Sequence, residues 1–220
     1  MHSDLFLNID YIHIWIQLIC YAVCSFIAAR RAVLHPDIWR YKILTGAFLC
    51  YALADLFWNL YFTIKWEYAL FFSAADLSWI AVVVFLIAAC LNIFNELTDE
   101  ERLIVRRYRI LSVLISFVLI ASTHAVMVII AGGLFNNICY GIVYFLLVYF
   151  SLQLWLAARK DIRPQMKNYH GAVMLFVLCD IIMFLMSCFW ETANISMVFD
   201  MGLTIMPVIL LYVMKKEVCA

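Results

Sequence analysis

The sequence predicts an all-α membrane bundle of seven transmembrane helices. Three observations predict it. Apolar residues make up 68% of the 220 positions, and mean hydropathy is +0.99. Charged residues reach only 14%, where a soluble domain carries about 25%, so the chain cannot clothe a soluble core. Finally, apolar runs recur at the length needed to cross hydrocarbon, roughly 20 residues. Barrel strands, which alternate over roughly ten residues, do not fit these long runs.

The predicted spans are 9–29, 41–63, 69–91, 109–131, 136–157, 169–190 and 196–214. Short connections join them into one domain covering 1–220. Asp4 before the first span and Asp10 at its outer edge stand where a cleaved signal peptide would carry Lys or Arg. Between spans three and four, the run Asn95–Arg102 is acidic, and arginines follow it. That order complements a helix dipole and predicts a short interfacial helix.

Charge placement predicts orientation. Every Lys and Arg except Lys65 falls in alternate loops or after the last span. The clusters are Arg30, Arg31, Arg40 and Lys42; Arg102, Arg106, Arg107 and Arg109; Arg159, Lys160, Arg163 and Lys167; and Lys215 and Lys216. The positive-inside rule puts these in the cytoplasm. The reading is a multi-pass protein of the cell membrane, with its N-terminus outside and its C-terminus inside. One basic cluster per loop marks membrane anchors and contacts with lipid headgroups, not a nucleic-acid surface. Trp39, Trp66, Tyr68 and Trp190 fall near span ends, as an aromatic belt does. Cys20, Cys24, Cys50, Cys90 and Cys179 lie within spans as small hydrophobes. Cys139 and Cys188, nearest the outer face, form the one candidate disulfide pair.

The chain echoes itself. Span one ends Ala28-Ala29-Arg30-Arg31, and span five ends Ala157-Ala158-Arg159-Lys160. Tyr41 and Tyr169 open the spans that follow. Cys50 and Asp55 in span two are echoed by Cys179 and Asp180 in span six. Ser73 and Asp76 in span three are echoed by Ser196 and Asp200 in span seven. This predicts parallel three-helix repeats, 9–91 and 136–214, joined by span four, 109–131.

Four aspartates inside spans are the strongest functional signal. A carboxylate in hydrocarbon is costly unless it meets a partner, a proton or water. At 1.5 Å per residue, Asp55, Asp76 and Asp200 lie about 12, 10 and 7 Å below the outer ends of their spans, with Asp180 near mid-span. His124 lies about 10 Å deep in span four, and His13 lies near the outer end of span one. Helical spacing adds Trp58 and Asn59 beside Asp55, Ser73 beside Asp76, Glu191 beyond Asp180, and Thr204 and Pro207 beside Asp200. Trp79 is deep enough to line a cavity. Pro207 frees the carbonyl of Leu203.

Within the spans Lys and Arg occur only at the cytoplasmic edges, as Lys42 and Arg109, too far from these acids to neutralise them. They must share protons, meet the histidines or bind something positive. The expectation is an outward-facing acidic cavity. Asp55, Asn59, Asp76, His124, Asp180, Asp200 and Thr204 would hold a proton or a small cationic ligand, walled by Trp58, Ser73, Trp79 and Glu191. The expected function is transport of a cation or an amine-containing solute. The alternatives are a ligand-binding sensor and a metal-dependent intramembrane hydrolase. No HExxH or GxSxG motif supports the last, and no cofactor is legible.

Overall fold

The computed structural model describes residues 2–65, 72–158, 165–189 and 193–218. Its helices are α1 (His2–Leu34), α2 (Trp39–Lys65), α3 (Ala74–Asn95), α4 (Asp99–Arg107), α5 (Arg109–Ala131), α6 (Leu134–Ala158), α7 (Gln165–Ser187) and α8 (Ala193–Val218). All but α4 contain a stretch long and apolar enough to cross a membrane, which makes this an integral membrane protein. A short helix, α4, forms at the acidic-to-basic run between the third and fourth spans. Thr98 caps it: the Glu101 amide donates to its hydroxyl, and its own amide donates to Glu101 at 2.8 Å.

Helix α3 begins at Ala74, later than the sequence suggested, because Ser73 and Asp76 start it. The Ser73 amide and hydroxyl both donate to Asp76 Oδ2, at 2.7 and 3.0 Å. Cys139 and Cys188 are both free thiols, so the candidate disulfide is absent. Glu191, Trp66, Tyr68, Trp190 and the basic residues 159–163 lie outside the described residues.

Six helices pack side by side in the order α1–α2–α3–α6–α7–α8, and α8 returns to α1. Exchanging α1, α2 and α3 for α6, α7 and α8 turns every neighbouring pair of this ring into another neighbouring pair. Helix α5 stands outside the ring, against α6 and α7. Its buried residues are Ser112, Ser116, Ile120, His124 and Met127, a single stripe. The rest of α5 exposes aliphatic side chains such as Ile110, Val118 and Ile129.

Lipid is as apolar as leucine, so close packing holds such a bundle together. Small residues permit that approach: Ala28, Ala47, Ala54, Ala75 and Ala89 are fully enclosed. Gly46 of α2 lies under the Phe85 ring, where an added Cβ would meet it at 2.7 Å.

The seam between α1 and α8 is stitched by polar groups. His13 Nε2 lies 2.9 Å from Thr204 Oγ1, and Gln17 Nε2 donates to Asp200 Oδ1 at 3.0 Å. Cys20 donates to the Thr204 carbonyl at 3.1 Å. Tyr21 donates to the Leu203 carbonyl at 3.0 Å. That carbonyl is the one orphaned by Pro207, so a side chain from α1 replaces the missing backbone donor. Tyr21→Phe is therefore expected to destabilise the protein by about 1–3 kcal/mol, since it leaves a buried acceptor unpaired. The cost should shrink when Pro207→Ala restores the helical donor. A double-mutant thermal-unfolding cycle checks this; equal costs in both backgrounds would dismiss the proposed compensation.

Candidate acidic cavity

All four intramembrane aspartates line one cavity of ≈ 270 Å³ inside the six-helix ring. Asp55 comes from the later half of α2, Asp76 from the start of α3, Asp180 from the later half of α7 and Asp200 from the start of α8. These helix portions share one end of the bundle because successive spans run antiparallel. Trp58 and Trp79 form an aromatic wall, their rings 5.9 Å apart. Tyr51, Tyr144 and Phe176 add to it. Among the described residues, neither Lys nor Arg lines the space.

The four acids differ in what already holds them. Asp76 caps its own helix and accepts from Tyr140 at 3.3 Å. Asp180 accepts a short hydrogen bond from the Tyr144 hydroxyl. Tyr140 and Tyr144 are one turn apart on α6 and stack at 5.9 Å, so one helix face serves two carboxylates.

Asp200 meets Gln17 and also His13, whose Nδ1 stands 3.1 Å from Oδ2. That contact is ion-pair proximity rather than an aligned hydrogen bond. Thr204 donates to the Asp200 carbonyl at 3.3 Å and meets His13 Nε2 at 2.9 Å, which ties the two helices at a second point.

Asp55 is the exception. It is 1% exposed, and its Oδ2 has no hydrogen-bond partner among the described residues. The indole nitrogen of Trp79, on the same cavity, likewise makes no hydrogen bond among the described residues. Three acids are thus committed to protein groups, and the fourth keeps an uncommitted oxygen. This cavity can accommodate a cation or a positively charged headgroup, held by carboxylate charge and aromatic faces.

Several residues expected in the same wall lie elsewhere. Asn59 is buried one turn beyond Asp55 but outside the wall. The Thr204 hydroxyl is engaged by His13, and Ser73 belongs to the α3 cap. His124 lies in an adjoining cavity with Tyr140, Tyr144 and Asn136. Its Nδ1 lies 3.1 Å from the Ile120 carbonyl of its own helix. Conversely, Gln17, Tyr51, Asn136 and Tyr144 line the acidic cavity and were not anticipated.

Comparison with known proteins returned no match to a family model, a curated protein or a solved structure. The site must therefore be read from its own chemistry. Among the described residues, no group of three His, Cys, Asp or Glu side chains is arranged to hold a metal ion.

A second polar cluster lies in the other half of the ring. The Cys90 thiol stands 3.3 Å from Ser151 Oγ and 3.9 Å from His170 Nδ1, and all three residues are fully buried. His170 Nε2 has no hydrogen-bond partner among the described residues. The cluster is five residues from the start of α7, while Asp180 is ten residues further on, about 15 Å along the helix.

Proposed function

We propose that this protein is a cell-membrane carrier for a small organic cation or amine, with its N-terminus outside and its basic loops in the cytoplasm. The observation that carries this reading is the gathering of four acids on one aromatic-walled cavity that, among the described residues, no Lys or Arg lines. Carboxylates gathered in this way are satisfied by protons or by a positive partner, and the aromatic faces beside them favour an organic cation. The exchangeable order of the ring supports reading α1–α3 and α6–α8 as parallel repeats joined by α5. Such halves carry solutes by rocking about a central site. The buried Cys90–Ser151–His170 cluster continues polar chemistry beyond the cavity towards the basic end, as a transmembrane route requires.

Labelled tetramethylammonium tests the proposal, because its fixed charge prevents unaided permeation. Proteoliposomes are expected to take it up saturably, at least about tenfold faster than protein-free liposomes. Binding without uptake would overturn carriage and favour a sensor. Neither binding nor uptake would overturn the cation-site reading itself.

A further inference from the structure

The acidic cavity is the inner end of a longer series of spaces. The adjoining cavity of ≈ 280 Å³ shares Asn136, Tyr144 and Phe184 with it. Tyr144 stands at the junction, its hydroxyl on Asp180 and its ring 6.2 Å from that of His124. His124 and Asn137 in turn belong both to this second cavity and to a groove of ≈ 880 Å³ between α5 and α6.

Apart from those two residues, the groove wall is apolar. Phe117, Ile129, Ile138 and Ile142 on it are each at least half exposed, on a face that a bilayer would cover. Gly141 lies on the groove against His124: an added Cβ would stand in contact with the ring at 3.4 Å, and a larger side chain would crowd it. Polarity therefore changes in one direction: four carboxylates, then tyrosines and amides, then hydrocarbon.

We infer that the ligand is a single-chain cationic amphiphile entering from the bilayer through the α5–α6 seam. Its ammonium head lies among the aspartates, and its alkyl chain runs past Tyr144 and His124 into the lipid-facing groove. Charge complementarity fixes the head, and continuity with the acidic cavity fixes the path of the tail. Each methylene withdrawn from water adds affinity, so chain length becomes a determinant of binding that a closed cation pocket would lack. This inference rests on the cation-site reading and names its ligand class. It also gives α5 a task that the ring alone does not require.

The test compares decyltrimethylammonium, tetramethylammonium and decanol, bound to the full chain in nanodiscs of uncharged glycolipid. Tryptophan fluorescence is the signal, since Trp58 and Trp79 line the acidic cavity. Decyltrimethylammonium is expected to bind at least about 100-fold more tightly than tetramethylammonium. Gly141→Leu should reduce that preference to less than about tenfold while leaving tetramethylammonium binding unchanged.

Equal affinities for the two ammonium ions in the unaltered protein would overturn the lateral route but leave the cation site standing. Failure of both to bind would overturn the cation site. Decanol binding as tightly as decyltrimethylammonium would overturn placement of the head among the acids. Photolabelling with a decyl ammonium carrying a terminal diazirine tests the path without any substitution. Adducts are expected on Phe117, Ile129 or Ile142, and adducts confined to the acidic cavity would refute the tail position.

Discussion

Asp55→Asn is expected to lower tetramethylammonium affinity by at least about 100-fold while leaving the protein as stable as before, or more so. The two effects share one cause. A full charge about 4 Å from a cation contributes about 4 kcal/mol at an effective dielectric of 20. Losing much of that attraction accounts for 100-fold, about 2.7 kcal/mol. The same carboxylate, with Oδ2 buried and unpartnered, burdens the empty protein. Asparagine keeps the volume of the acid and removes no hydrogen bond that Oδ2 makes. Titration and thermal unfolding on the same preparations check both halves. A variant that binds normally would remove Asp55 from the site, and one that melts much earlier would show that the acid is structural.

Asp200→Ala should behave in the opposite way, losing about 2–4 kcal/mol of stability. Asp200 accepts from Gln17 at 3.0 Å, and its Oδ2 stands 3.1 Å from His13 Nδ1. Truncation removes the carboxylate from both partners, which are 3% and 6% exposed, and leaves Gln17 only the longer bond to the Asp200 carbonyl at 3.3 Å and His13 only Thr204. Stranding buried polar groups costs more than an intact pair contributes. Asp200→Asn keeps an oxygen for Gln17 and should recover over half of the loss. If alanine proves harmless in a thermal melt, the α1–α8 stitching is not what holds this seam. Together the two variants separate an acid kept for a ligand from an acid kept for the fold.

The seven spans were legible because hydropathy reports burial in lipid directly, and the aspartates were legible because lipid penalises them. Their gathering into one cavity followed from shared depth. What depth leaves open is azimuth. Asn59 and Thr204 lie at the same level as the acids but face other neighbours. Ser73 and Asp76 carried a readable capping pattern, a serine three residues before an acid ahead of an apolar run.

Gln17 was findable too. It continues a stripe with His13, Cys20, Tyr21 and Cys24 along span one, spaced as one helix face. Tyr144 offered no comparable signal, because a tyrosine among tyrosines and phenylalanines does not announce which carboxylate it will meet. His170 was missed because it sits at the edge of its predicted span, where loop and helix compositions merge. The echo between halves is close in helix order but loose in register. Asp55 lies 14 residues after Tyr41, whereas Asp180 lies 11 after Tyr169. The two acids therefore do not occupy equivalent steps of their helices.

The stitching of α1 to α8 also has a consequence for biogenesis. His13, Gln17 and Tyr21 find their partners more than 180 residues later in the chain. During synthesis α1 reaches the bilayer long before α8 leaves the ribosome. Until then its polar stripe has no mate, and the Leu203 carbonyl that Tyr21 will satisfy does not yet exist. The nascent bundle must wait in an open arrangement, with an unsatisfied helix edge that insertion factors or quality-control proteases can recognise. Closure of the ring is the last event of folding, and it cannot occur in a chain interrupted before α8.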